Sequence, residues 1–176
     1  MRLLIALLTI VALAPAAFAK CAPSSQGTFL SCTFSNGRKA VDVCVEGDNL
    51  TYRFGRVGKA PDLELSVPVI DADYTPWPGI GNSIIEIVAF QNQDTRYEVT
   101  GVIDRIYPED GTKDIQLVYY GYVEVIVGSE SQVVLSCDDG SVVLDGGSLD
   151  DAKTAAGQCW DAEGMDPEGW RWIACK

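Results

Sequence analysis

Chemistry in this chain has to start from carboxylates, hydroxyls and sulfur, because its 176 residues include no histidine. Without imidazole, neither a Ser-His-Asp nor a Cys-His apparatus can be assembled. The H-E-x-x-H metal motif and the His-containing facial triad are excluded for the same reason. No G-x-x-x-x-G-K-[ST] run occurs, and no glycine-rich fingerprint opens a helix, so phosphate and dinucleotide sites have no support. An enzyme built on this sequence would have to work with paired carboxylates, as glycosidases do. There are 25 Asp and Glu residues. That many acids bring some pair together by chance, and their ordinary role is a solvated surface.

Two acidic groups fall in turn regions, Asp138-Asp139 with Asp145, and Asp161 with Glu163, Asp166 and Glu168. Oxygen donors suit calcium, but neither group has the D-x-[DN]-x-[DN]-G spacing followed by Glu. No metal site and no cofactor is expected.

The sulfur chemistry is structural. Cys21, Cys32, Cys44, Cys137, Cys159 and Cys175 form an even set without a C-x-x-C pair, which reads as a disulfide framework. Cys159 with Cys175 would close the C-terminal tail. Cys32 with Cys44 flanks a hairpin, which would leave Cys21 to pair with Cys137. A two-residue turn at Asn36-Gly37, however, sets Cys32 opposite Val41 and puts Cys44 on the other face, so the hairpin pairing needs a longer loop or a bulge.

Recognition could fall to aromatic residues. The segment Asp71–Gly81 is the least strand-like long stretch, and prolines at 76 and 78 bracket Trp77. Tyr74 and Trp77 are therefore candidate binding residues, since a rigid loop presents a large aromatic at low entropic cost. The alternative is that Trp77 folds back over an open end of the fold. Tyr120 and Tyr122 form a second candidate, on the even face of a long strand with Val118 and Ile126. Trp160, Trp170 and Trp172 sit in the cysteine-closed tail. Asn49-Leu50-Thr51 fits a glycosylation sequon.

The elements that must hold these residues are strands. Thr28–Phe34 and Lys39–Glu46 flank Asn36-Gly37, the strongest short hairpin signal. Asn49–Phe54 follows Gly47-Asp48. Asp62–Val67 runs into Pro68, which stops it or puts it at an edge. Ser83–Phe90 is rich in Ile and Val, and Thr95–Asp104 alternates with period two. Ile115–Val127 is the longest, with Ile115, Leu117, Tyr119, Gly121, Val123, Val125 and Val127 assigned to the core. Gln132–Cys137 and Ser141–Leu144 surround Asp139-Gly140. Leu30-Ser31-Cys32 and Leu135-Ser136-Cys137 echo each other, too briefly to mark a repeat. About nine short strands separated by turns predict an all-β antiparallel barrel or sandwich. One short helix is expected near the C-terminus, capped by Ser148, with Asp150 and Asp151 at its positive end and Gly157 after it.

Residues 1–19 read as a cleavable export signal: Arg2, an apolar run from Leu3 to Ala14, then Ala17-Phe18-Ala19. Pro15 and the short apolar run argue against a membrane anchor, and Lys20 before Cys21 argues against lipidation. Residues 20–176 are then one disulfide-bonded β-domain of ordinary size, periplasmic or secreted.

The formal charge is −12, with 13 Lys and Arg. That balance opposes binding to nucleic acid or anionic lipid. It favours encounter with a basic protein partner. The outline of export signal, acidic β-barrel and disulfide is similar to that of small β-barrel lysozyme inhibitors of the bacterial envelope. The Ser-Ala-Ser-Gly-like loop followed by an aromatic that marks them is missing, and Gly128-Ser129-Glu130-Ser131 does not replace it. The expected function is a non-enzymatic, inhibitor-like binding protein. The alternatives are a carboxylate-dependent glycan hydrolase and a structural accessory protein of the cell envelope.

Overall fold

The computed structural model describes residues 21, 27–108, 114–145, 147–162 and 170–176. The expected signal at 1–19 and the acids Glu163, Asp166 and Glu168 lie outside the described residues. The fold is an all-β sandwich with one short helix. The first sheet contains β1 (Gly27–Phe34), β2 (Lys39–Glu46), β3 (Asn49–Arg56), β4 (Leu63–Pro68) and β10 (Val143–Leu144), in the order β10-β1-β2-β3-β4. The second contains β5 (Asp73–Thr75), β6 (Ser83–Asn92), β7 (Thr95–Ile106), β8 (Gln116–Val127) and β9 (Glu130–Ser136), in that order. All pairings are antiparallel. The two sheets remain separate, so the architecture is a sandwich and not a barrel. Pro68 ends β4 on an edge, where its missing N–H costs no ladder bond.

Alternating apolar residues from both sheets meet in one core. Tyr52 of β3 packs on Phe90 and Tyr97 of the opposite sheet, with ring centroids 5.3 and 5.7 Å apart. Phe29 of β1 meets Tyr74 of β5 edge-on at 6.0 Å. Val41, Val43, Leu50, Val88, Val99 and Val123 fill the space between.

The register of the first hairpin decides the cysteine pairing. Its loop is four residues long, Ser35 to Arg38, with Ser35, Asn36 and Gly37 all at positive φ. This is longer than the expected two-residue turn but keeps the same register, and Cys32 faces Val41. A bulge between Thr28 and Leu30 sets Cys44 opposite Thr28. The two cysteines thus point to opposite faces, and the expected pairings of Cys32 with Cys44 and Cys21 with Cys137 are corrected. Cys44 bonds Cys21, and Cys32 points inward to bond Cys137. Cys159–Cys175 forms as expected. Three disulfides fit an oxidising compartment, and among the described residues no helix is long and apolar enough to cross a membrane.

The chain crosses between sheets twice, and each crossing is fastened. At the first, Pro68 leads through a single 3-10 turn, Val69–Asp71, into β5. At the second, the Cys137 amide donates to Gly121 in one sheet, and the next amide, Asp138, donates to Thr33 in the other. The Cys32–Cys137 bond lies at this point. Asp138 also uses its carboxylate there, accepting from the amides of Asn36 and Gly37 at 3.0 and 2.7 Å and from the Thr33 hydroxyl at 2.9 Å. These donors, the Gly37 amide foremost, hold its pKa below the ordinary aspartate value. That acid is part of the joint between the two sheets.

The helix, α1 (Ser148–Ala155), fastens the first crossing. Its buried Lys153 Nζ donates to the carbonyls of Val69 and Ala72, both at 2.9 Å, and to Ile70 at 3.3 Å. Burial lowers the Lys153 pKa, while Asp71 and Asp73 oppose that shift. Ser148 is not the N-cap; Gly147, at φ 95°, holds that position, and Ser148 is the first helical residue. Gly157, at φ 83°, follows the helix end as expected, its amide donating to Thr154.

Two further elements differ from expectation. The tail after Cys159 forms a hairpin of β11 (Gln158–Asp161) and β12 (Arg171–Ala174). Asp73–Thr75, read as loop, is an edge strand on β6. Both are too short to show a period in sequence.

Candidate functional site

The site arises from a mismatch in strand length. β7 and β8 are each 12 residues long, whereas β1, β2 and β3 of the facing sheet are each 8. The second sheet therefore overhangs the first. Gly121 and Val123 are buried as expected, but Ile115 and Leu117, assigned to the core, are about half exposed at the overhanging end. Val127 at the other end is exposed too. Where the overhang begins, a cleft of about 500 Å³ opens, lined by Pro76 and Trp77, by Ile84, Glu86, Ile103 and Tyr119 of the second sheet, by Leu144, and by Gly147 and Asp150 at the start of α1.

Glu86 lines this cleft. Strand pairing fixes its direction: Glu86 is opposite Gly101, between the inward pairs Ile84–Ile103 and Val88–Val99. A carboxylate therefore occupies a core-facing position of an Ile/Val-rich strand, and the residue is only 5% exposed. Oε1 accepts the Tyr74 hydroxyl at 2.8 Å. Oε2 is buried and has no hydrogen-bond partner among the described residues. Burial raises the Glu86 pKa above its ordinary value. The Tyr74 hydroxyl and the Gly147 backbone oppose the rise, and the negative charges of Asp150 and Asp145 add to it. Asp150 shifts upward as well, through burial and then through its neighbour Asp151. Tyr74 is held protonated, again chiefly by burial.

The aromatic candidates divide among three places. Tyr74 is buried and meets Glu86 through its hydroxyl. Its ring stacks on Trp172 at 5.8 Å, and the Trp172 indole donates to the Tyr74 carbonyl at 2.8 Å. Trp77 is half-buried in the cleft wall. Its Nε1 donates to Ile80 at 3.0 Å, and the Arg105 guanidinium lies 4.8 Å from its ring centroid. Tyr120 and Tyr122 alternate away from the buried pair Gly121 and Val123 and so lie on the outer face of the second sheet. Tyr120 is 47% exposed and Tyr122 is half-buried. These two are therefore remote in direction from the cleft, whereas their neighbour Tyr119 lines it.

Sequence reasoning missed Glu86 altogether, gave Tyr119 to the core and gave Asp150 only a helix-end role. The one available signal was the acid interrupting Ile84-Ile85-Glu86-Ile87-Val88. Among the described residues, no group of His, Cys, Asp and Glu is arranged to hold a metal ion. The chain matches no family model, and neither a curated protein nor a solved structure matches it.

Proposed function

We propose that the protein is an exported, non-enzymatic binding protein whose recognition end is the Glu86 cleft and whose partner is a basic protein, held in the manner of an inhibitor. The observation that carries this reading is Glu86 Oε2, a buried carboxylate oxygen without a hydrogen-bond partner among the described residues, on a residue that lines an aromatic-walled cleft. Leaving such an atom unpaired is costly, so a donor from a partner gains what the fold leaves unsatisfied. The net charge of −12 favours encounter with a cationic surface and disfavours nucleic acid. Binding of immobilised protein to a set of purified cationic and anionic proteins tests the reading. Selective retention of a cationic protein, weakening as salt rises, is expected. Retention of none at low salt, or retention indifferent to salt, overturns it.

A glycan hydrolase is the second reading, favoured by one observation: Glu86 and Asp150 line one cleft with Trp77 and Tyr119. Such an enzyme needs one carboxyl held protonated and another kept ionised. Here both are shifted upward, which suits the acid and opposes the base or nucleophile. Binding is therefore the better-supported function. Release of reducing ends from peptidoglycan or chitin oligomers, abolished by Glu86→Gln, would reverse that order.

A further inference from the structure

We infer that the cleft receives a single basic side chain of the partner, a lysine ammonium or arginine guanidinium carried on its aliphatic stem. This rests on the binding function proposed above and names the chemistry of its contact.

Four features of the cleft select that ligand. Its lining is acidic: Glu86, whose buried Oε2 has no hydrogen-bond partner among the described residues, and Asp150 both line the cavity. Neither acid forms an ion pair among the described residues, and the basic groups of the same helix and of the Trp77 wall are engaged elsewhere. Lys153 donates to Val69, Ile70 and Ala72, and Arg105 donates to the carbonyls of Gly81 and Asn82 at 2.6 and 3.0 Å. The walls are apolar, from Pro76, Ile84, Ile103 and Leu144. Apolar walls beside acidic groups match a side chain whose methylenes are greasy and whose tip is charged. The flanking rings suit a cation. Trp77 already lies under the Arg105 guanidinium, and Tyr119 is the second ring of the cleft. Finally, the donor count fits. Ammonium and guanidinium donate and never accept, so either can satisfy Oε2 without orphaning an acceptor of its own. An anionic ligand would be repelled, and a neutral one would leave two like charges uncompensated.

The test uses the oxidised protein and three small probes: the Nα-acetyl methylamides of lysine, arginine and norleucine. Binding is followed through the nuclear magnetic resonance signals of the Trp77 indole and the Gly147 amide. The lysine and arginine probes are expected to shift both signals in a saturable way, while the uncharged norleucine probe does not. Glu86→Gln should weaken the cationic probes at least tenfold. Trp77→Ala and Tyr119→Ala, made in partly exposed residues with both carboxylates intact, should weaken them too; these variants decide the matter if Glu86→Gln misfolds. Equal response to norleucine, or cationic binding untouched by all three substitutions, overturns the inference. So does response to a neutral chitin oligomer without response to lysine. A cationic protein retained equally by wild type and Glu86→Gln overturns this contact while leaving the binding function standing. Probe binding without any cationic protein partner does the reverse: the cation site holds and the protein partner falls.

Discussion

The Tyr74 hydroxyl donates to Glu86 Oε1 at 2.8 Å from the neighbouring edge strand, so one carboxylate oxygen of Glu86 is satisfied from within the fold and the other is not. The pair sits diagonally across β5 and β6, since Tyr74 is opposite Val88. This asymmetry makes Glu86 costly to the folded state when it is ionised.

Its pH dependence has a definite sign. Burial raises the folded-state pKa above the unfolded value near 4.5. The carboxyl therefore contributes fully to stability below that unfolded value, and the contribution is lost as pH rises through the folded value. Glu86→Gln keeps an acceptor for Tyr74 and carries no charge. It is expected to match wild type at low pH and to exceed it by about 1 kcal/mol at neutral pH. Thermal melts across this range check it. A gap that does not change with pH, or a loss at neutral pH, contradicts the account. The same substitution is expected to weaken ligand binding, so stability and recognition oppose each other at this residue.

Lys153 is the converse case, a buried charge whose donors are all used. Lys153→Met keeps the apolar stem but orphans the carbonyls of Val69, Ile70 and Ala72 and removes the cation 5.2 Å from the Trp172 ring. Burying an ammonium is itself unfavourable. Three unpaired carbonyls outweigh the relief, and the net loss should be roughly 3 kcal/mol. The midpoint of urea unfolding measures it. An unchanged midpoint would mean that water replaces the ammonium.

The sequence revealed the sheet class because its signals are local. Asn36-Gly37, Gly47-Asp48 and the period-two run of Thr95–Asp104 each act within a few residues. The same holds for the register of Cys32 against Val41, which follows from the turn alone. What stayed hidden depends on contacts distant in sequence. Cys32 and Cys137 are 105 positions apart and meet only because the chain crosses between sheets there. The burial of Lys153 shows only once its helix is laid over Val69–Ala72. Glu86 passes unnoticed in an Ile/Val-rich strand, because nothing nearby announces that a tyrosine from a three-residue edge strand will meet it. The cleft itself comes from unequal strand lengths in two sheets, a comparison no single segment contains.

The disulfides should differ in what they protect. Cys32–Cys137 closes a loop of 105 positions and fastens one sheet to the other, whereas Cys159–Cys175 closes 16 within the tail hairpin. The chain-entropy argument gives about 4–5 kcal/mol for the first and about 3 kcal/mol for the second. Replacing Cys32 and Cys137 together by Ala should therefore lower the unfolding midpoint more than replacing Cys159 and Cys175. The opposite ranking would show that the tail hairpin, which supports Tyr74 through Trp172, holds the core more than the crossing does.

Gly121 tests the same crossing by volume. A Cβ built there lies 2.7 Å from Leu30 Cδ1 and 2.9 Å from Cys137 Sγ. Leu30 is fully buried and the sulfur is covalently held, so neither neighbour can yield cheaply. Gly121→Ala should cost roughly 2–3 kcal/mol by overpacking. At Gly101, opposite it on β7, the obstacle is the tip of Leu144, which lies half-buried on the two-residue β10 and can swing aside. Gly101→Ala should cost less, about 1 kcal/mol. If the clash at Gly121 is with the sulfur, adding Cys32→Ala and Cys137→Ala should shrink its penalty, and a double-mutant cycle reads that coupling directly. Additive losses would place the whole conflict on Leu30 and remove the disulfide from the explanation of why this strand position carries no side chain.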